Sequence, residues 1–267
     1  MSLSLALGMA LLSACPAPGD AAIIGTATDP DSGRLHYCEY HYPAAAHPNP
    51  QSAPATSAAT TRVEYHAPEK GLIALKQLNE EHRDPARPWL HQIDLRGGEL
   101  RQTEWIDGTL LLSYRPRQHG EIEQTALPAG QVDIVDAGFE HFVQRHWQAL
   151  LSGSAIPARF ASPVHQRSLP LRVRLQPMAD CGAPPHPQAA YCLWVEADSL
   201  WLRWLLDPIQ LQYNHQQQLV RYRGVGNLLT EGGQPMRVNL DYRYCPCDAS
   251  PGRVSSRGDI EPAAVFD

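Results

Sequence analysis

Leu171-Arg172-Val173-Arg174-Leu175 alternates apolar and cationic residues without a break. Successive side chains of a strand point to opposite faces, so this run predicts a strand with one face buried and one in water. Similar strand-length runs lie on both sides of it. They are Leu35-His36-Tyr37-Cys38-Glu39-Tyr40, Arg62-Val63-Glu64-Tyr65 and Leu72-Ile73-Ala74-Leu75-Lys76 before it, and Leu110-Leu111-Leu112-Ser113-Tyr114 nearer to it. Leu219-Val220-Arg221-Tyr222 and Val238-Asn239-Leu240-Asp241-Tyr242 follow. Each alternates or clusters apolar residues over lengths that suit strands better than helices.

One segment breaks the period of two. Phe139, Phe142, Val143, His146, Trp147, Leu150 and Leu151 form a single stripe at helical spacing. The spacing predicts a helix over 137–152, capped by Asp136 and closed by Gly153. Ser199 to Asp207 is a second helical candidate, with Trp201 and Trp204 on one side and Pro208 as the stop. Many strands and one good helix read as a mainly β fold. The expected form is an antiparallel, strongly curved sheet or incomplete β-barrel with one covering helix.

Composition agrees. Among 267 residues there are 24 prolines and 19 glycines, which suits short elements and turns and works against an all-helical chain. Hydrophobic residues make up 43 %, enough for a core. Charged residues make up only 19 %, and the net charge is −6. A surface of that sign does not neutralise phosphates, so no nucleic-acid partner is expected.

The N-terminus carries an address. Leu3 to Leu12 is apolar apart from Ser4, too short to span a bilayer and the right length for a secretory signal. It ends in Leu12-Ser13-Ala14-Cys15, which resembles the lipobox of bacterial lipoproteins, in which the cysteine is acylated. This predicts a signal peptide over 1–14, lipidation of Cys15, a tether over 15–22 and one β-rich domain over 23–247. The stretch 43–61, rich in Ala, Pro, Ser and Thr, reads as a flexible inserted loop, and 248–267 as a disordered tail. The place implied is the periplasmic side of a bacterial envelope, with the membrane as a partner through the lipid.

Export makes disulfides available to the other cysteines. Cys181 and Cys192 flank a loop between two strand-like runs, so a hairpin staple is the simplest pairing. Cys38 lies in an early strand, and Cys245 and Cys247 at the end of the last, so a bridge between them is a second expectation. His36, Cys38 and His41 with Cys245 and Cys247 would also suit a soft metal, but the disulfide is preferred and no metal is expected.

Catalytic signatures are absent: there is no GxSxG, HExxH, CxxC or P-loop, and no cofactor is called for. Lys76, Asp94 and Arg96 sit in strand-like segments, where they either decorate the outside or point charge into a cavity. Trp201 and Trp204 lie in an aromatic, aliphatic stretch that either packs the core or lines an apolar pocket. These five are the candidate ligand-binding residues.

A longer pattern then emerges. Asp31-Ser32-Gly33-Arg34-Leu35-His36-Tyr37-Cys38-Glu39, Val63-Glu64-Tyr65, Gly71 to Lys76 and Asp94-Leu95-Arg96 occur in order. Gly138 to Val143 with Trp147, Asp207-Pro208-Ile209 to Tyr213, Arg221 to Gly224 with Asn227, and Val238 to Tyr242 follow. Together they resemble a family of uncharacterised exported proteobacterial proteins, a domain of unknown function, over residues 23 to 244. The pattern is also similar to the half-barrels of lipoprotein carriers and related periplasmic ligand binders. That resemblance implies a scaffold and no reaction. Export, the curved-sheet pattern and the Trp-rich stretch favour an envelope protein that binds an apolar or amphipathic small molecule, such as a lipid, on the concave face of its sheet. An envelope hydrolase or isomerase with a polar site inside the barrel is the alternative, and a structural module a third.

Overall fold

The computed structural model describes residues 15–18, 20–43, 60–79, 84–182, 184–198 and 208–245. Among these residues, fifteen strands form one sheet. The first eight are β1 (Ile23–Thr28), β2 (Leu35–Tyr42), β3 (Thr60–Ala67), β4 (Gly71–Asn79), β5 (Trp89–Asp94), β6 (Leu100–Ile106), β7 (Thr109–Arg115) and β8 (Glu123–Pro128). After them come the two-residue β9 (Ile134–Val135), helices α1 (Phe139–Arg145) and α2 (Trp147–Leu151), β10 (Ile156–Ser162) and β11 (Arg167–Gln176). The chain closes with β12 (Tyr191–Ala197), β13 (Ile209–Tyr213), β14 (Leu219–Leu229) and β15 (Pro235–Tyr244).

Strands β1 to β8 run outward from the middle of the sheet in one direction, and β15 back to β9 in the other. The seam is β1 against β15, so the two ends of the domain meet antiparallel, with Ile23 opposite Tyr244. The sheet is antiparallel except for β9, which lies parallel to β10. Its outer strands β8 and β9 are not paired with each other, so it curves without closing. Leu127 of β8 and Val135 of β9 nevertheless share one apolar cluster, with Leu78, Leu90, Leu110, Leu112 and Ala161.

The alternation on β11 does what its sequence predicts. Val173 is fully buried and Leu171 and Leu175 pack beside it, facing α1 and α2. On the other side Arg172 pairs with Asp198, and Arg174 reaches Glu196 and the Trp194 ring. Trp147 fills the concave face between Tyr191 and Tyr213, edge-on to both.

Three readings change in detail. The single helix over 137–152 is a short 3-10 turn at Asp136–Gly138 followed by two helices that break at His146. The His146 amide reaches both Phe142 and Val143, which tightens the turn to 3-10 geometry. Asp136 does not cap α1; Gly138 stands at that position, and the Asp136 carboxylate serves the interior instead. Gly153 does close α2, with φ of 88°. Strand β3 starts at Thr60, two residues inside the expected loop. The second candidate helix, Ser199 to Asp207, lies outside the described residues, as do the signal 1–14 and the tail 248–267.

The cysteines settle into two bridges. Cys181 and Cys192 are joined as their spacing predicts, with Cα atoms 5.8 Å apart. Cys38 is joined to Cys15, not to Cys245. Register explains why. Cys38 lies opposite Thr26, and Thr26 opposite Asp241, whereas the Cys245 amide bonds Ala22. Four residues along a strand amount to about 13 Å, well beyond the roughly 7 Å a disulfide can span. Cys245 is therefore free. Cys247 lies outside the described residues. This bridge and the lipid expected on Cys15 exclude one another, because a sulfur held in a disulfide has no valence left for a thioether.

Candidate functional site

The concave face is occupied in two different ways. Over β10–β13 it is filled by α1 and α2. Over β1–β4, β14 and β15 it is lined by Tyr37, Val63, Tyr65, Ile73, Ala74, Leu228, Met236, Val238 and Leu240. Polar groups sit where the two halves meet. Lys76, 2 % exposed, donates to Asp136 Oδ1 at 2.6 Å. Glu39, 1 % exposed, accepts from the Tyr242 hydroxyl at 3.3 Å and faces His41 Nε2 at 3.3 Å. Gln92 donates to the Asn227 carbonyl at 3.1 Å, tying β5 to the irregular stretch of β14.

Electrostatics follow from that burial. Burial, and then the Glu39 charge, pushes the hydroxyls of Tyr37, Tyr65, Tyr222 and Tyr242 above the usual tyrosine range. Burial likewise raises the Glu140 carboxyl to about 7, while hydrogen bonds from Tyr213 and Gln144 oppose the shift. Asp136 has a φ of 44°, a left-handed conformation that costs a non-glycine residue energy. The ion pair with Lys76 and the Ala137 amide hold it there.

Beyond this interior, one end of the sheet opens into a cleft of about 970 Å³. Three hairpins build its rim: Ser32 to His36 between β1 and β2, Ala67 to Lys70 between β3 and β4, and Thr230 with Glu231 between β14 and β15. Lys70 and Glu231 pair across it. Its remaining lining is Tyr37, Ile73, Met236 and Arg96. The volume is in the range of small-molecule sites, and the lining mixes the cations Arg34, Lys70 and Arg96 and the carboxylates Glu69 and Glu231 with apolar and aromatic side chains.

The candidate residues separate on this map. Arg96 lines the cleft. Asp94 is buried behind it and holds its guanidinium with two bonds, at 3.0 and 2.5 Å. Lys76 faces inward but belongs to the interior pair. Trp201 and Trp204 lie outside the described residues. The bland alternative for the three charged residues, a solvent-facing decoration, does not hold for Lys76 or Asp94. The soft-metal alternative loses its ligands, since Cys38 is oxidised, His36 pairs with Asp29 and His41 with Glu39. No metal-holding cluster of His, Cys, Asp or Glu occurs among the described residues. No helix among them is long and apolar enough to cross a membrane.

Sequence reasoning missed Tyr37, Ile73 and Met236 as cleft residues, and Asp136 as the partner of Lys76. A usable signal existed for one of them. Tyr37, Glu39 and His41 share a face of β2, and a glutamate on an inward face points to a polar interior.

No family model and no curated protein matches this chain. Among solved structures it is similar to a β-barrel-like protein of Domain of Unknown Function DUF1849 from Brucella abortus. Identity is 11 %, the match covers 84 % of this chain and 97 % of that one, and the TM-score is 0.38. The class defined here is a mainly β, barrel-like domain whose sheet stays open, carrying two disulfides.

Proposed function

We propose that this protein is a non-enzymatic binding module of the bacterial envelope that holds an amphipathic small molecule in the cleft at the mouth of its sheet. The cleft itself carries the reading: about 970 Å³ between three hairpins, with Ile73, Met236 and Tyr37 beside Arg96 and Lys70. A wholly apolar ligand fits the concave face poorly, because α1 and α2 already fill one half and Glu39, Lys76 and Gln92 set buried polar groups beside the apolar cluster of the other. An amphipathic one can lay its apolar part on the lining and keep its head at the rim.

Export supports the reading from a separate direction. Two disulfides suit an oxidising compartment, and the apolar leader before Cys15 has the length of a secretory signal. The test is native mass spectrometry on protein purified gently from the envelope fraction. A co-purifying amphiphile, displaced by organic solvent, is the expected result. Protein without adduct, and without uptake of a hydrophobic dye, contradicts binding; protein confined to the cytoplasm contradicts export.

The enzyme alternative rests on one observation, the Lys76–Asp136 pair inside the sheet. Its near-complete burial suits a structural tie between β4 and the turn before α1 better than a group that must meet substrate.

A further inference from the structure

We infer that the cleft selects an anionic, oxygen-rich head group, a carboxylate or a phosphate, which seats between the Arg96 guanidinium and the Tyr37 hydroxyl. This rests on the cleft reading above and adds the chemistry of the ligand to it. Two observations carry it. The Tyr37 hydroxyl is buried, lies on a cleft-lining residue and has no hydrogen-bond partner among the described residues. Buried polar groups are almost always paired, so an unpartnered hydroxyl on a residue that lines the cleft is a donor open to a ligand.

Arg96 is the second. Its Nε and Nη2 are fixed by Asp94, and Nη2 also donates to the Leu229 carbonyl at 2.8 Å. Nη1 has no partner among the described residues. The guanidinium is therefore held rigid with donors left over, and that planar fork matches carboxylate and phosphate oxygens. Arg96 and Tyr37 line the same cleft. Leu35, Ile73 and Met236 complete an apolar lining for the remainder of the ligand.

The experiment is calorimetric titration of the folded chain with four probes of equal chain length below their micelle concentrations. They are decanoate, decyl phosphate, decanol and decyltrimethylammonium. Tyr37→Phe is the decisive variant, because removing an unpartnered hydroxyl leaves folding intact. Arg96→Gln accompanies it, with its unfolding curve recorded, since it also strips Asp94 of its partner. The expected result is that decanoate or decyl phosphate binds about tenfold more tightly than decanol, and decyltrimethylammonium least. Tyr37→Phe then weakens the anionic probe about tenfold and leaves decanol unchanged. The tighter of the two anions tells carboxylate from phosphate. Equal binding of decanol and the anions, indifferent to Tyr37→Phe, overturns the head-group inference while the cleft reading stands. Binding of no probe overturns both.

Discussion

Lys76 Nζ and Asp136 Oδ1 meet at 2.6 Å, joining the inner face of β4 to the turn that leads into α1. They are 60 positions apart, and both side chains are largely shielded from water. Removing one partner strands the other as an uncompensated buried charge. Lys76→Met should therefore cost about 3–5 kcal/mol of stability, and Lys76→Met with Asp136→Leu should recover most of it. Urea unfolding of the single and double variants measures this. A single variant as stable as the parent would show the pair to be idle.

Glu140 makes stability depend on pH in a stated direction. Burial raises its carboxyl from 4.5 to about 7, so the folded chain holds that proton more tightly than the unfolded chain. The sign follows: its contribution is fully present below about pH 4.5 and is lost as pH rises to about 7. The total is of the order of 3 kcal/mol. Glu140→Gln should remove this component. Unfolding midpoints recorded at pH 5 and pH 7.5 for parent and variant test it, and an unchanged difference between the two pH values would contradict the assignment.

Two glycines should respond in opposite ways. A Cβ on Gly138 would lie 2.2 Å from the Ala86 carbonyl oxygen and 2.8 Å from Pro88, so the start of α1 would be pushed off the β4–β5 connection. Gly138→Ala should cost about 2 kcal/mol or more, as overpacking against backbone does. Gly130 has nothing within 4 Å of the same position, and Gly130→Ala should be neutral or slightly stabilising. Thermal unfolding of the two variants gives the comparison.

Peptide mapping without reduction should find Cys15 joined to Cys38 and Cys181 to Cys192, with Cys245 alkylated by iodoacetamide. Each bridge closes a loop of 11 or 23 positions, and losing either should cost about 3 kcal/mol in the chain-entropy model. A lipid mass on Cys15 would rule out the first pair and free Cys38.

The scaffold was legible because period two and period 3.6 differ so plainly in Leu171 to Leu175 and in Phe139 to Leu151. The strand β2 shows why the cleft was not. Tyr37, Cys38, Glu39 and Tyr40 are all buried, because Cys15 covers one face while the sheet interior takes the other. Alternation cannot be read where both faces are dry. The partner of Cys38 was missed for a related reason: pairing depends on strand register, which places Cys245 four residues out of line. Asp136 has the sequence signature of a helix cap, and only the approach of Lys76 from β4 gives it another role. The cleft draws its lining from four separate stretches between Ser32 and Met236, so no local pattern could announce it.

The cleft reading is tested most directly by amide chemical-shift mapping of the isotope-labelled chain titrated with decanoate. The account predicts shifts confined to Ser32–Tyr37, Ala67–Lys70, Ile73, Arg96, Thr230, Glu231 and Met236, weakened by Tyr37→Phe. Shifts centred on α1 and α2, or none at saturating probe, would contradict it.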